Sequence, residues 1–448
     1  MKSTFGLNIR VTMEGESHGE QVRCVAVGIP AGIAVDTEGL MSFMARRRGG
    51  QRNTTPRRED DIPEFLSGLV DGVTDGSPLV VSIPNKNVRS GDYEGFANTP
   101  RPSHADYTSR LRYPGCDLRG GGHFSARLTA PLCAVGYVCM CALKERGIYI
   151  GAHLSRVGSV CDARYDLVSV SKDDLTARAG LPVLDAAVAD KMDSEIQAAA
   201  ALGDSIGGEV ECAVIGIPGG IGSPLANGIE NRLSSAMYVL GALKGVEFGS
   251  GFGAVSMRGS VHNDPFAVRE GRVVTETNNS GGIQAGITNG MPIVFRCGFK
   301  PTASISMPQR TVSLKDMADT EITISGRHDP CIAVRAVPCV EAVTAIVMLD
   351  ALLDSAGGDI EACRRGIDNI NNQLMELLCA RMELAGIIAE EKERLGLATY
   401  DPQRETAILD RVNSIVETTD LGKGQAISEI FREIMRITRD YEDARRRD

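Results

Sequence analysis

Residues 15–33 read GESHGEQVRCVAVGIPAGI, and residues 203–221 read GDSIGGEVECAVIGIPGGI. Ten of the nineteen aligned positions are identical without a gap, at a spacing of 188 residues. Each copy contains a glycine-rich turn, a strand of alternating character and a Gly-Ile-Pro turn. A repeat at a fixed spacing indicates a duplicated structural unit. We therefore predict an α/β domain over residues 1–353, in which two similar sheets pack around a shared core.

The two copies differ at one position that bears on chemistry, because His18 in the first copy is Ile206 in the second. The repeated fold therefore does not require histidine there, which favours a chemical role for His18. Two further segments, PRPSHAD at 100–106 and RHDPC at 327–331, also place histidine beside Gly or Pro. Histidine exchanges protons near neutral pH, so the three segments together predict an acid-catalysed step. Each segment alone is equally consistent with an ordinary surface histidine.

Composition disfavours several classes of function. The chain of 448 residues has a formal net charge of −10 and no Trp. It therefore offers neither the positive field nor the aromatic platform of a nucleic-acid-binding protein. The apolar stretch 129–143 is shorter than a bilayer span, and no signal peptide is evident. The 12 Cys are scattered without a CxxC pair, so we expect a cytoplasmic protein with no metal site and no membrane or nucleic-acid partner.

Arginine is dense in RRRGGQRNTTPRR at 46–58. Guanidinium groups bind phosphate and carboxylate in bidentate geometry, so the segment predicts a small polyanionic substrate, with a solvated basic loop as the alternative. The glycine-rich segments 119–123 and 278–290 offer backbone N–H groups for further anion or cofactor phosphate binding. Neither has the spacing of a P-loop or of a dinucleotide-binding motif.

A series of motifs follows in order over residues 5–350: GESHG, GIPAG, RRRGG, TTPRRE, PRPSHADY, GDSIGG, KGVEFGSGF, NNSGGIQAGITNG, KPTASI and GRHDPCIAVRAVPCVEA. Together they resemble the chorismate synthase family. The resemblance implies a β-α-β sandwich, a homotetramer and a reduced FMN cofactor, with NADPH as an indirect reductant. The implied reaction is the anti-1,4-elimination of phosphate from 5-enolpyruvylshikimate 3-phosphate (EPSP), which gives chorismate.

The same resemblance assigns roles to individual residues. His18 would protonate the departing phosphate, His104 would protonate the reduced flavin, and Asp329 would take the proton of flavin N5. Ser17 and Ser125 belong to the same predicted catalytic set. The predicted cofactor contacts are His123, Ser125, Arg127, Gly241, Ala242, Ala285, Lys300, Pro301, Thr302, Ala303, Ser304 and Arg327. The predicted substrate contacts are Arg47, Arg48 and Arg52.

The chain departs from the family pattern at a flavin-contact segment. Many members read GGRSSARET where this chain reads GGHFSARLT, so His123, Phe124 and Leu128 replace an arginine, a serine and a glutamate. Gly241 replaces a flavin-contacting asparagine. Every predicted proton-handling residue remains, so we interpret the changes as those of a subfamily. A flavin-binding protein without synthase activity is the alternative.

The sequence changes character at DSAGGDI, residues 354–360, after which charge rises and histidine is absent. We predict a linker at 354–359 and an all-α domain of three helices over 360–448. Apolar residues spaced three and four apart predict one amphipathic helix over 360–394, a length typical of helices that pair with another chain.

Two features mark the remaining helices and the charged face of the first. Asp401 and Pro402 fit the N-cap and first position of a second helix, and a third is expected from about 425 to 445. Arg381 and Lys392 are eleven residues apart, about 20° of rotation, so they share a face of the first helix. Arg364 lies about 100° from that face and is expected to serve a partner subunit's site.

The pattern Arg364, Ile367-Asp368, Arg381-x-Glu-Leu, Lys392, Asp401-x-x-Arg404-Glu405, Thr438 and Glu442 resembles the all-helical chorismate mutase family. The resemblance implies an intertwined dimer that converts chorismate to prephenate. The rearrangement is pericyclic, so it needs orientation and electrostatic stabilisation but no proton transfer. The expected assembly is a tetramer of synthase domains with dimerised mutase domains, and the expected small-molecule partners are EPSP and chorismate.

The mutase resemblance also implies residue roles. Arg364, Arg381 and Arg404 would hold the carboxylates, Lys392 the ether oxygen, and Asp401 and Glu405 the hydroxyl, with Thr438 as a further contact. Many bacterial members carry Gln in place of Glu442, beside the ether oxygen. A carboxylate there would repel developing charge, whereas a protonated Glu442 would donate a hydrogen bond. The alternative for the whole domain is a non-catalytic regulatory or oligomerisation module, such as a plain coiled coil.

Overall fold

The computed structural model describes residues 3–56, 59–86, 98–176, 180–324, 326, 328–355, 360–418 and 424–445. The chain divides into two compact units, Met1–Ala362 and Cys363–Asp448. The sequence prediction places the linker slightly earlier, at 354–359. We describe the first as the α/β unit and the second as the helical unit, which includes the helix that begins at Ile360.

The elements have the following bounds. The strands are β1 Ser3–Phe5, β2 Arg10–Gly15, β3 Gln21–Val27, β4 Glu64–Ser67, β5 Leu69–Val70, β6 Val73–Thr74, β7 Leu79–Pro84, β8 Tyr149–Val157, β9 Val160–Cys161, β10 Gly208–Ile215, β11 Leu243–Phe248, β12 Phe266–Arg269, β13 Arg272–Thr275, β14 Ile283–Gln284, β15 Ile287–Thr288, β16 Ile293–Phe299, β17 Gln309–Ser313 and β18 Ala318–Ile322. The helices are α1 Thr37–Arg47, α2 Asp106–Arg112, α3 Thr129–Glu145, α4 Ala186–Ala201, α5 Ile229–Met237, α6 Gly259–His262, α7 Ala333–Ser355, α8 Ile360–Arg394, α9 Pro402–Thr418 and α10 Gly424–Arg445.

Two five-stranded antiparallel sheets form the outer layers of the α/β unit. Their strand orders are β1-β2-β3-β7-β4 and β11-β16-β10-β8-β9. The repeated sequence supplies the middle strand of each sheet, since β3 and β10 are the third strand in their respective orders. Strand β3 alternates between buried and partly buried residues along most of its length, and the central residues of β10 are all buried. Both patterns are expected for strands with a face on the core. The predicted internal duplication is therefore confirmed at the level of the two sheets.

A pair of apolar helices fills the space between the sheets. Helix α3 packs against β3 and β7 of the first sheet, α7 packs against β8 and β10 of the second, and the two helices pack against each other. The predicted β-α-β sandwich is thus confirmed. Polar side chains of α7 fasten it to both sheets. Asp350 accepts hydrogen bonds from the backbone N–H groups of Asn8 and Ile9 at 2.6 and 2.7 Å, and Glu341 accepts from Ala152 N at 2.9 Å.

The same two helices are long and apolar enough to cross a membrane by length and composition, over Ala126–Glu145 and Ala333–Asp354. The apolar stretch 129–143 lies inside the first window, which includes the turn before α3 and reaches the end of that helix. Burial explains the apolar composition instead: 83% and 89% of the two windows are enclosed by the protein. These are the core helices of the sandwich.

The helical unit has the three predicted helices, α8, α9 and α10. Helix α9 begins at Pro402, and Asp401 Oδ1 accepts from Arg404 N at 3.0 Å, which is the predicted N-cap. Helices α9 and α10 pack against each other. Side-chain contacts join Arg381 to Thr438 and Glu390 to Arg445, so α10 runs parallel to the second half of α8.

We predict that Gly136→Ala destabilises the α/β unit by roughly 1–3 kcal/mol. Gly136 of α3 faces α7, and a methyl group on it would lie 2.4 Å from Ala342 Cβ and 2.5 Å from Ala342 Cα. The helices would have to separate in a closely packed core. Denaturant unfolding should show a lower midpoint for this variant. Gly259→Ala is the matched control, because a methyl group there would meet no atom within 4 Å, and an equal loss in both variants would contradict the prediction.

Candidate active sites

The glycine segment 119–124 brings two of the predicted histidines to one place. Gly120, Gly121 and Gly122 have φ values of 60°, 89° and 52°, a backbone that favours glycine. A methyl group on Gly120 would lie 2.6 Å from His18 Nε2, and one on Gly121 would lie 3.7 Å from His104 Nε2. The two histidine-bearing segments therefore border the same glycine turn, although 86 positions separate them in the sequence.

A cavity of about 360 Å³ opens beside this turn. The predicted residues that line it are His104, Ser125, Arg127, Gly241, Ala242, Lys300, Pro301, Thr302, Ala303, Ser304 and Asp329. Both core helices begin at the cavity, because Arg127 lies just before α3 and the lining residue Ile332 directly precedes α7. Helix N-termini present free N–H groups and partial positive charge, so the cavity is suited to anions.

A buried carboxylate orients His104. Asp106 is 1% exposed, and its Oδ1 accepts from His104 Nδ1 at 2.6 Å. Arg101 holds the same carboxylate through Nε and a terminal nitrogen, each at 2.7 Å, and donates to Ser304 Oγ at 3.1 Å. Burial alone would raise the pKa of Asp106, but hydrogen bonds from Arg101 and His104 hold that pKa well below its usual range. With Nδ1 occupied, His104 presents Nε2 towards Gly121 and the cavity.

No role was predicted for Arg101 or Asp106, although both belong to the motif PRPSHADY. The spacing of two residues between His104 and Asp106 was the available signal. Thr55 and Arg335 were also missed. They hold Asp329 at the cavity wall, where Thr55 N donates to Asp329 Oδ1 and Arg335 donates to Asp329 Oδ2, both at 2.8 Å.

The structure corrects the prediction that Arg47 contacts the substrate. Arg47 is 2% exposed, and its guanidinium donates to Thr129 Oγ1, Asp61 Oδ2 and Ala126 O at 2.9, 2.9 and 2.7 Å. Freeing it for a ligand would break a buried ion pair, which costs roughly 3–5 kcal/mol. Arg47 lies at the end of α1, and its side chain points into the core. It therefore stabilises residues beside the cavity without lining the cavity itself.

Asp61 links Arg47 to the cavity surface. It pairs with both Arg47 and Arg127, and Arg127 also contacts Glu59 at 2.7 Å. Burial would raise the pKa of Asp61, but the charges of Arg47 and Arg127 lower it overall. The floor of the cavity is thus a compact group of two guanidinium groups and two carboxylates. No sequence signal marked Asp61 or Glu59 as members.

The other predicted substrate arginines differ in position. Arg52 is exposed and pairs with Asp193 of α4, outside the residues that line the cavity, so its predicted substrate contact is not supported. Arg48 has two buried guanidinium nitrogens, Nε and one terminal nitrogen, without a hydrogen-bond partner in the described part of the chain. Buried donors of this kind need a partner; Arg48 does not line the cavity, and its role as an anion ligand stays a prediction.

The helical unit carries a second charged cluster. Lys392 Nζ donates to Glu442 Oε2 at 3.0 Å and to Thr399 O at 2.7 Å. Arg381 donates to Thr438 Oγ1 at 2.8 Å. Thr438 and Glu442 are 7% and 6% exposed. These four predicted residues therefore share the interface between α8 and α10.

The remaining predicted mutase residues lie around or away from this interface. Glu405 pairs with Arg439 at 3.1 Å, and the Asp401 carboxylate caps α9. Arg404 is exposed on α9, and Arg364 is exposed on the first half of α8. Arg364 precedes Arg381 by almost five helical turns, which agrees with the expectation that it serves a different copy of the site.

A family model described as chorismate synthase matches residues 9–353. The chain belongs to the chorismate synthase family. A chorismate synthase of Thermococcus gammatolerans is 44% identical over 349 residues, which cover 78% of this chain and 97% of that protein. A chorismate synthase of Pyrococcus abyssi is 45% identical over 349 residues, again covering 78% and 97%.

The other comparisons agree with this assignment and extend it. A crystal structure of a chorismate synthase superposes with a TM-score of 0.62 and 29% identity, covering 83% of this chain and 99% of that one. A second family model, chorismate mutase type II, matches residues 363–443. The chain therefore consists of a chorismate synthase domain, a lyase, fused to a chorismate mutase domain, an isomerase, both of the shikimate pathway. The two predicted enzyme families are confirmed.

The departures from the synthase pattern have different structural roles. Phe124 and Gly241 line the cavity, whereas Leu128 is buried in the core. His123 turns away: its Nδ1 lies 2.9 Å from Gly15 O and its Nε2 3.1 Å from Ser3 Oγ. The predicted flavin contact of His123 is therefore not supported, because both ring nitrogens bind protein groups and His123 does not line the cavity.

Two further predicted cofactor contacts do not line the cavity. Ala285 is exposed in the two-residue turn between β14 and β15, where its φ is 52°, so its predicted contact is not supported within one chain. Arg327 lies outside the described residues. Ser17 and His18 meet the cavity through Gly120 rather than by lining it directly.

We predict that Gly241→Asn tightens the binding of flavin to the synthase domain. A side chain at position 241 would meet no atom within 4 Å, so the asparagine of other family members fits there without strain. One added hydrogen bond is worth about 1 kcal/mol, or roughly fivefold in affinity. Fluorescence titration with FMN measures the change. Gly253→Asn, equally unobstructed but outside the cavity, is the control, and unchanged affinity at position 241 would contradict the prediction.

Proposed function

We propose that the cavity of the α/β unit is where this chorismate synthase eliminates phosphate from EPSP, with reduced FMN as its cofactor. We propose further that the interface between α8 and α10 is where the mutase domain rearranges chorismate to prephenate. The single observation that carries the first proposal is the meeting of His18, His104 and Asp329 around one glycine-lined cavity at two helix N-termini.

The residues of the cavity fit FMN. Thr302 Oγ1 is buried and has no hydrogen-bond partner within the described ranges, so a ligand atom is its natural partner. Burial and the neighbouring charge of Lys244 lower the pKa of Lys300, and the negative charge of a phosphate beside it would stabilise the ammonium form. Thr302, Lys300 and Ser304 would hold the cofactor beside Gly241. The chemistry supplied by bound reduced FMN is transient electron donation, which leaves no net redox change.

The chain's own residues handle the protons and the leaving group. His18 is proposed to give a proton to the departing phosphate, and the buried Ser17 hydroxyl, which lacks a partner in the described part of the protein, is available to hold a phosphate oxygen. Arg48 and the two helix N-termini neutralise the charge that develops there. His104, fixed by Asp106, holds a proton at Nε2 for the flavin. Asp329 is the proposed acceptor of the flavin N5 proton.

The mutase proposal rests on charge placement. Negative charge develops on the ether oxygen as the C–O bond breaks, and Lys392 supplies a cation beside the half-buried interface of α8 and α10. Arg381 and Arg404 are proposed to hold the carboxylates within one subunit, with Arg364 contributed by a partner. Orientation by these contacts is sufficient because the rearrangement needs no proton transfer.

A second copy of the chain is proposed to complete the helical unit. Ile367, Ile370, Leu374 and Leu377 follow helical spacing on α8 and are 58%, 57%, 51% and 67% exposed. An apolar stripe of this length is favourable only when covered. Exposed Phe266 and Val268 on the β12–β13 hairpin similarly support assembly of the synthase domains, proposed as a tetramer. We propose a cytoplasmic enzyme whose flavin is reduced by an outside system that draws on NADPH.

We predict that His18→Ala abolishes phosphate release from EPSP while leaving mutase activity intact. Loss of the proposed proton donor should lower kcat by at least about a hundredfold. The assay mixes the full-length protein with EPSP and reduced FMN without oxygen and measures released phosphate. His262→Ala, a histidine on α6 outside the cavity lining, should keep full activity. Unchanged turnover in His18→Ala would remove His18 from the mechanism.

We predict that Glu442→Gln raises the mutase activity of the full-length protein at neutral pH. The Glu442 carboxylate contacts Lys392 at 3.0 Å and would repel the negative charge that develops on the ether oxygen, whereas an amide would donate a hydrogen bond to that oxygen. The measurement is the rate of chorismate consumption. Glu433→Gln, on the exposed side of α10, is the control. Unchanged or lower activity in Glu442→Gln, or full activity in Lys392→Ala, would contradict the assignment.

A further inference from the structure

His123 belongs to the glycine segment 119–124 beside the cavity, but its side chain contacts residues that do not line the cavity. Its Nδ1 lies 2.9 Å from Gly15 O, and its Nε2 lies 3.1 Å from Ser3 Oγ. A carbonyl oxygen can only accept, so Nδ1 must carry the proton in this contact. The neighbouring lining residues Gly120 and Phe124 face the cavity, whereas His123 reaches back to the end of β2.

Gly15 begins the turn that carries Ser17 and His18. Ser17 N donates to Gly122 O at 3.1 Å, while His123 donates to Gly15 O. Two hydrogen bonds of opposite direction therefore tie residues 15–17 to residues 122–123. Gly15 and Gly122, whose φ values are 93° and 52°, have no side chains, so at these two residues the segments are joined by hydrogen bonds and not by side-chain packing.

The far side of the same turn is held by Asn85. Its Nδ2 donates to Glu16 O and Gly19 O at 3.0 and 2.8 Å, and its Oδ1 accepts from Arg127 Nε at 2.9 Å. Asn85, which is itself bonded to Arg127, therefore holds one side of the turn, and His123 holds the other. Removing either set of hydrogen bonds would let His18 move relative to Gly120, on which a methyl group would lie 2.6 Å from the His18 ring.

We propose that His123 is a positioning residue for the proton donor His18 and for Ser17, acting through Gly15 O. This inference rests on the proposed role of His18. A displacement of about 1 Å at a reacting group can lower turnover roughly a hundredfold. The loss should appear in kcat. The hydrogen-bond partners of His123, Gly15 and Ser3, do not line the cavity, so the residues proposed to hold the cofactor stay unchanged. The chain thereby uses an imidazole where many family members carry arginine.

The test compares His123→Ala with His123→Asn in the full-length protein. The Asn side-chain nitrogen can occupy the place of Nδ1 and donate to Gly15 O, whereas Ala cannot. We expect His123→Ala to lower kcat for phosphate release roughly tenfold to a hundredfold, with KM for EPSP and Kd for FMN within about threefold of wild type. We expect His123→Asn to recover most of the activity. Ser3→Ala, which removes only the Nε2 partner, is the matched control and should match wild type.

A double variant distinguishes action through His18 from a separate effect. If His123 acts through His18 and Ser17, adding His123→Ala to the residual activity of His18→Ala should cause a smaller loss than His123→Ala causes in the wild-type protein. An additive loss, equal effects of Ala and Asn, or a proportional loss of FMN affinity in His123→Ala would each overturn the inference. Where His123→Ala fails to fold, the comparison of His123→Asn with His123→Gln decides, since the longer Gln does not place its donor at Nδ1. A fully active His18→Ala would instead contradict the proposed function itself.

Discussion

The close contact between α3 and α7 is the constraint on which the α/β unit depends. Gly136 lets the two helix backbones approach until a single methyl group would overlap with Ala342. Each helix carries one sheet, so their separation fixes the distance between the two halves of the duplicated sandwich. The N-termini of both helices then open at the same cavity. The packing that stabilises the fold therefore also creates the electropositive end at which an anionic substrate can bind.

Two buried carboxylates of the α/β unit have their charged partners in place. Arg101 and His104 satisfy Asp106, and Arg47 and Arg127 satisfy Asp61. Buried charges of this kind add little net stability, but removing one partner is costly. Their effect is to hold catalytic side chains in fixed positions before a ligand arrives. Such preorganisation is the main protein contribution when charge develops in a transition state.

Fusion joins two enzymes with different electrostatic demands. The synthase domain must move protons and expel phosphate, and it contains all six His of the chain. The mutase domain contains none, and its proposed site consists of arginines, a lysine and a buried carboxylate. The product of the first reaction is the substrate of the second, so a chain with both domains forms and consumes chorismate. The division of side-chain types between the domains follows from the chemistry of each step.

The sequence by itself determined the duplicated sandwich, the three helices and both families, because repeats, helical periodicity and caps are local patterns. It also singled out His18, His104, Asp329 and Lys392 as candidate site residues, because their residue types are tied to motifs. Only the tertiary structure decided that Arg47 is buried, that Arg52 pairs with α4 and that His123 binds Gly15. Each of these contacts depends on which way a side chain points once segments distant in sequence have come together. A single side-chain rotation can replace a ligand contact with a hydrogen bond inside the protein. The group around Asp61 required the fold for the same reason, since Arg47, Asp61 and Arg127 come together only when the end of α1 meets the start of α3. The contact of His104 with Asp106, by contrast, lies within one short segment of sequence.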